Sequence, residues 1–272
     1  MDQPPEAPAF FLPDGEAFVA TAHTRGPWSS AHQHGGPPSA LLGREVEAVV
    51  AGEIPLMPVR FTIDLLRPVP IGRLRPRAQV TRATRSVRLV EAALEAEGVE
   101  VLRASALFLR RADISLPPLP PPDAPPPLPE TGVDSGFPFF RDRLGYHTAM
   151  EIRFVRGGFG QARSTGWLRM RYPLVAGEVP SPLLRVLVAA DSGNGITNVL
   201  DIDRFTFVNP DLSVHLHRLP EGEWIGLDAY TQPEPSGVGL AQSRLSDTRG
   251  PLGHALQSLL VTQRSGHEGK AG

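Results

Sequence analysis

His34-Gly35-Gly36-Pro37-Pro38-Ser39-Ala40-Leu41-Leu42, continued to Val50 (SALLGREVEAVV over 39–50), reads as a turn that opens into a helix. Prolines suit a first helical turn, where a missing N–H has no intrahelical partner to lose. Four β-rich runs follow, Arg60–Leu66, Leu74–Thr84, Val87–Ala96 and Val99–Arg110, and Gly98 suits a hairpin between the last two. The first half is therefore a helix and then an antiparallel meander. The order recurs downstream. Gly166–Tyr172 reads as a strand, and Ser181-Pro182 caps and starts an apolar helix through Ala190. Strands follow at Leu212–His217, Trp224–Gln232, Val238–Ser246 and Leu252–Gln263, with Asp247-Thr248-Arg249-Gly250 as a hairpin turn. Leu41-Leu42 matches Leu183-Leu184 at an offset of 142, and Leu65-Leu66-Arg67 matches Leu216-His217-Arg218 at 151. One helix wrapped by one curved sheet leaves a sheet edge and a helix face bare, and a second unit alongside can cover them. The expected class is α+β, with repeats at 1–111 and 132–272. Between them, 112–131 is an extended connector whose prolines forbid helix and interior strand.

The 272 residues suit one large domain or two medium ones, and 41% apolar with 21% charged residues excludes a wholly disordered chain. A net charge of -2 gives no single-sign field, so neither nucleic acid nor anionic lipid is an expected partner. The absence of cysteine removes disulfides, thiolate metal sites and a cysteine nucleophile, and fits a reducing cytoplasm. Met1-Asp2-Gln3-Pro4-Pro5-Glu6 lacks the basic start and apolar run of a secretory signal, and no run of about eighteen apolar residues occurs, so a cytoplasmic protein without a membrane span is expected. There is no Gly-x-Ser-x-Gly, Walker, His-Glu-x-x-His or full Gly-x-Gly-x-x-Gly motif, which disfavours a serine hydrolase, NTPase, zinc peptidase or Rossmann dehydrogenase. His215 and His217 share a strand face but lack a third ligand of suitable spacing, and His32 with His34 fares no better, so no metal is expected. Trp28, Trp167 and Trp224 read as core or pocket wall.

Three groups of residues carry a resemblance. They are the 34–42 stretch, Pro180-Ser181-Pro182-Leu183 leading to Ala189-Ala190-Asp191-Ser192-Gly193-Asn194-Gly195, and Asp211–Arg218 with Gly222-Glu223-Trp224 and Gly250–Gln257. In this order and spacing they resemble acyl-CoA thioesterases of the double hot-dog type, over most of the chain apart from the connector and termini. The resemblance implies two tandem hot-dog repeats, each a long helix wrapped by a curved antiparallel sheet. It also implies hydrolysis of an acyl-CoA thioester to free acid and coenzyme A, in lipid metabolism and without a cofactor. Such enzymes hold a water with an aspartate, a hydroxyl or amide side chain, and a glutamine. Carried over, these fall on Asp191, on Asn209 or in a shifted register Ser213, and on Gln257.

The residues make their own case. Thiolate is a good leaving group, so an oriented water, a proton acceptor and something to steady the oxyanion can suffice. Asp191 follows an apolar helix, where desolvation raises a carboxyl pKa toward usefulness as a base. The same residue before Ser192-Gly193-Asn194-Gly195 equally suits a helix end. Gly35 and Gly36 open a helix whose free N–H groups could receive the thioester oxygen, or they serve only the turn. His34 could donate to that oxygen or line the pocket, and Gln257 could be an ordinary sheet residue. Subtracting the offsets pairs Asp191 with Val49, His34 with Ala176 and Gln257 with Ala106, so one cleft built across the halves would be equipped. Arg67, Arg73, Arg75 and Arg77 are candidates for the nucleotide end of coenzyme A or a solvated face.

Two other readings compete. A non-catalytic acyl-CoA or acyl-chain binding module would keep the fold and lose the chemistry. A hydratase would need a histidine with an acidic partner at the helix, and the second-half helix carries Asp191 with no nearby histidine. Oligomeric state stays open, a homo-oligomer through exposed sheet edges being one outcome.

Overall fold

The computed structural model describes residues 8–52, 54–120 and 123–264. Met1–Glu6, on which the expectation of no leader rests, and Pro121 and Pro122 of the connector lie outside the described residues. The first half supplies β1 (Phe11–Asp14), β2 (Ala17–Ala20), α1 (Gly36–Val50), β3 (Leu56–Leu65), β4 (Arg73–Ala83), β5 (Val87–Ala96) and β6 (Val99–Arg110). The second supplies β7 (Val133–Asp134), α2 (Tyr146–Ala149), β8 (Met150–Arg156), β9 (Arg163–Met170), α3 (Pro182–Ala190), α4 (Gly193–Ile196), β10 (Phe205–Val208), β11 (Asp211–Leu216), β12 (Ile225–Pro233), β13 (Val238–Asp247) and β14 (Gly250–Gln263).

These strands form one antiparallel sheet in the order β1-β2-β4-β5-β6-β3-β11-β14-β13-β12-β9-β8-β7, with β10 beside β14. The two halves join at β3 and β11, paired from Asp64 with Asp211 to Arg60 with His215, so neither strand is an exposed edge. Bulges at Pro58/Arg60, Val80/Arg82, Leu94/Glu95, Phe154/Arg156 and Leu245/Ser246 add the local bends by which such a sheet curves. A shift of 151 residues carries the registered pair Ile63–Ala104 onto Val214–Ala255, itself a registered pair, so within the sheet the offset read from sequence matches the hydrogen bonding. Between the helix caps Gly35 and Ser181 the separation is 146 residues, against the 142 read from the paired leucines.

Helix α1 begins one turn earlier than the periodicity suggests, because Pro37 and Pro38 occupy its first positions. Helix α3 is capped by the Ser181 hydroxyl, which accepts from the Leu184 N–H and donates to Glu47 of α1 at 2.6 Å. The expectation of a long helix in each half is met by the 15 residues of α1 but not by α3, which has 9. Two glycines let the helices cross closely. A Cβ at Gly43 would stand 2.6 Å from Leu187 Cδ1, and one at Gly36 would press on the Val188 carbonyl oxygen. Leu41, Leu42 and Val46 of α1 and Val186, Leu187 and Val188 of α3 are fully buried in the core beside Phe61, Ile63, Leu94 and Leu102 from the sheet. Beyond the connector, Trp167 donates to the Pro127 carbonyl at 2.7 Å, holding the proline segment against β9.

Candidate active site

Where α1 starts and α3 ends, the chain leaves a cavity of about 540 Å³. Its wall is largely aromatic and aliphatic: Trp28, Phe137, Phe139, Phe140 and Phe207, with Leu65, Val69 and Leu260. His34, Gly35, Asp191, Asn194 and Asn209 supply polar groups to it. Apolar walls with a few convergent polar groups are the usual character of a small-molecule site.

Asp191 follows the last turn of α3 and is 7% exposed. Its Oδ1 accepts from Asn209 Nδ2 at 2.8 Å and from Gln257 Nε2 at 3.0 Å, so both lone pairs of that oxygen are occupied. Its Oδ2 lies 3.0 Å from His34 Nδ1. The Gly36 N–H also points at this ring nitrogen, 3.2 Å away. One nitrogen cannot be a bare acceptor for Gly36 and a donor to Asp191 at once. A carboxylate 3.0 Å from an unprotonated lone pair would be repelled, so Nδ1 carries the proton and the longer Gly36 contact is the one surrendered. That leaves Nε2 of a neutral ring with its lone pair free. Burial pushes the His34 pKa below the ordinary imidazole value, against the opposing pull of the Asp191 charge. The ring lies flat on Tyr146, with centroids 3.8 Å and planes 1° apart. The Tyr146 hydroxyl donates to the Val188 carbonyl at 2.9 Å and meets the Ser192 hydroxyl at 2.8 Å. Burial raises the phenol pKa well above its usual value, so Tyr146 stays protonated as a fixed platform.

Of the residues singled out from sequence, the structure brings together His34, Gly35, Asp191, Asn209 and Gln257. Gln257 is 2% exposed and is no part of the cavity wall: it stands behind Asp191, its Oε1 accepting from the Asn194 N–H at 3.2 Å. Ser213 is not in the cluster. It sits in β11 between Thr62 and Leu256, and the alternation that buries Leu212 and Val214 turns it away. Gly36 likewise lies outside the cavity wall, since its amide faces the His34 ring and its α-carbon faces α3. Gly35 does reach the wall, and a Cβ there would fall 2.9 Å from Asp191 Oδ2. The helix that ends at Asp191 carries no histidine of its own, as the sequence reading has it, and the acid-partnered histidine comes instead from His34 in the other half of the chain.

Sequence reasoning missed three participants. Tyr146 and the Phe137/Phe139/Phe140 group sit in a segment without strand or helix periodicity. Asn194 has no role of its own in the sequence reading, yet its position three residues after Asp191 on a helical path puts the two on one face. Trp28 is pocket wall, Trp167 is core, and Trp224 lies under the guanidinium groups of Arg153 and Arg169. Of the four arginines, Arg73, Arg75 and Arg77 pair with acidic side chains, whereas Arg67 lines the cavity with no ion-pair partner among the described residues.

Two family models match this sequence, one described as an acyl-CoA thioesterase N-terminal domain over residues 24–109 and one as an acyl-CoA thioesterase C-terminal domain over residues 120–261. No curated protein matches it. Among solved structures it is similar to a proposed thioesterase II of Thermobifida fusca, at 17% identity and a TM-score of 0.72, over 94% of this chain and 96% of that one. A hot-dog protein of unknown function from Alicyclobacillus acidocaldarius gives 17% and 0.68, over 94% and 96%. The acyl-CoA thioesterase II of Mycobacterium marinum gives 16% and 0.64, over 94% and 95%. At such identities the likeness to these structures is one of fold.

Proposed function

Because this chain belongs to the acyl-CoA thioesterase family and is a thioester hydrolase of hot-dog fold, we propose that it cleaves acyl-CoA by water activated at the His34–Asp191 pair. The observation that carries this reading is the 3.0 Å contact between His34 Nδ1 and Asp191 Oδ2 on the wall of an apolar cavity. Asp191, held by Asn209 and Gln257, fixes the ring tautomer and steadies the imidazolium that forms. His34 Nε2 takes a proton from water as the oxygen attacks the thioester carbon. The sequence alone suggested Asp191 as the direct base, but with Oδ1 saturated and Oδ2 facing the ring it acts better through the histidine. The oxyanion falls to the Gly35 N–H at the start of α1, where the helix dipole favours negative charge. Collapse expels the coenzyme A thiolate, which recovers the proton from His34. Arg67 is the arginine left to meet the phosphates of coenzyme A, and the aromatic wall receives the acyl group.

The experiment is thiol release from a panel of acyl-CoA substrates by the wild type, Asp191→Asn and His34→Gln. Loss of roughly 10³-fold or more in kcat for both variants, with folding retained, supports the pair, whereas full turnover in either removes that residue. A binding module would hold acyl-CoA with turnover no faster than buffer, a reading the family match does not favour. The His34–Asp191 pair also supplies the acid-partnered histidine that hydration of an enoyl thioester needs. Free thiol measured beside product mass on an unsaturated acyl-CoA separates the two, since hydrolysis frees coenzyme A and leaves the double bond in the acid, whereas hydration adds water to the acyl-CoA and frees no thiol.

A further inference from the structure

Asn194 lines the cavity, is 6% exposed, and has a buried side-chain Oδ1 with no hydrogen-bond partner among the described residues. A buried amide oxygen left unpaired costs about 1–3 kcal/mol, so something in the working enzyme is expected to use it. The amide is not simply turned the wrong way. Its Nδ2 donates to the Phe207 carbonyl at 3.4 Å, and the flipped amide would set two acceptors against each other. Its place is fixed from two sides. The chain runs helically through Asp191 and Ser192 into α4, which carries Asn194 three residues on from Asp191 to the same face. The Asn194 N–H meanwhile holds Gln257 Oε1 at 3.2 Å, and that bond turns Gln257 Nε2 toward Asp191.

We propose that Asn194 Oδ1 is the second acceptor for the attacking water, taking the hydrogen that His34 does not. This rests on the thioesterase reading of the His34–Asp191 pair. A water donating one hydrogen to His34 Nε2 and the other to Asn194 Oδ1 has its lone pairs left for the thioester carbon. The proton that leaves goes to His34; the hydrogen bonded to Asn194 stays on the new carboxylic acid. Gln257 does not fill this role, since it stands behind Asp191 and its Oε1 already accepts from the Asn194 N–H. Gln33 Oε1 is another unpartnered amide oxygen on the wall, but its Nε2 is tied to the Pro70 carbonyl at 2.7 Å and it has no bond to the Asp191 cluster.

The test is Asn194→Leu, similar in size and without an acceptor. Steady-state thiol release is measured together with the affinity for a thioether analogue of the acyl-CoA, which cannot be hydrolysed. The expected result is a fall in kcat of roughly 10- to 100-fold, with KM and thioether affinity within about threefold of wild type and the acid limb of the pH profile unmoved. Wild-type kcat in Asn194→Leu overturns the proposal. So does a weakened thioether affinity with unchanged kcat, which would make Asn194 a partner of the pantetheine amides instead. If the leucine variant does not bind the thioether at all, Asn194→Ser, which restores a shorter acceptor, is measured against Asn194→Ala: higher kcat in the serine variant supports the water-holding role, and equal kcat in the two overturns it. Failure of the thioesterase reading looks different, since wild type would then release no thiol, or Asp191→Asn and His34→Gln would turn over normally.

Discussion

Gly35→Ala isolates the contact on which the chemistry depends. Gly35 has φ -65° and ψ -23°, a conformation alanine adopts without strain, so the substitution tests space and not backbone. Its new methyl would lie 2.9 Å from Asp191 Oδ2 and 2.9 Å from Leu65 Cδ2. Leu65 can swing its terminal methyl aside. The carboxylate cannot do so freely, because Oδ1 is held by Asn209 and Gln257 while Oδ2 bonds His34. Restoring ordinary contact at about 3.4 Å needs a shift of about 0.5 Å in an oxygen whose bond to His34 is 3.0 Å long. A misplacement of 1 Å costs on the order of 100-fold, so half of that predicts a kcat lower by about tenfold. Overpacking of this size costs about 1–2 kcal/mol, a fall in Tm of several degrees. Gly36→Ala is the contrast, because its methyl would meet the Val188 backbone oxygen, which has no side chain to move. It should lose more stability than Gly35→Ala and less of its activity per folded molecule. The assay is thiol release per folded enzyme, with thermal unfolding of both variants. Wild-type kcat in Gly35→Ala, at unchanged Tm, would refute the close fit of Asp191 against the start of α1.

The pH profile follows from His34, whose pKa burial holds below its ordinary value. A general base works when unprotonated, so kcat/KM should be flat through neutrality and fall only below about 6.5, and an acid limb centred above that value would count against His34 as the base. Asp247 is fully buried, accepts two bonds from Arg218 at 2.6 Å and takes further bonds from the N–H groups of Glu221, Arg249 and Gly250. Asp247→Asn should destabilise by about 2–4 kcal/mol in denaturant unfolding, with activity per folded molecule unchanged. Despite burial, Arg218 and the backbone N–H groups hold the Asp247 carboxyl below its usual range. The stability it contributes is therefore present above the ordinary carboxyl pKa and is lost as pH falls through the lower folded value, a loss the variant should lack. Ser213→Ala should leave kcat within about twofold of wild type, because the side chain lies outside the cavity, and a large loss would return Ser213 to the site.

Several parts of this molecule are legible locally. The Ser181 cap, the prolines that open α1, the hairpin at Gly98 and the alternation in β5, β6, β13 and β14 each depend on residues within a few positions of one another. β1 and β2 are not legible in the sequence because they are only four residues each, too short to show a period. The sequence names Asp191, Gln257 and His34 as candidates for one cleft, and the structure places them together. What it does not supply is the direct contact of His34 with Asp191, or the choice between Asn209 and Ser213.

By itself the sequence determined the longer helices and strands, their order and the chemical types available at the end of α3. The tertiary structure alone decided which of those types meet. His34 reaches Asp191 only because β3 pairs with β11 and α1 crosses α3 at its glycines, contacts between residues far apart in the chain. Periodicity and capping report on forces acting within a turn or a strand, whereas a site across two halves is set by the register and packing between them.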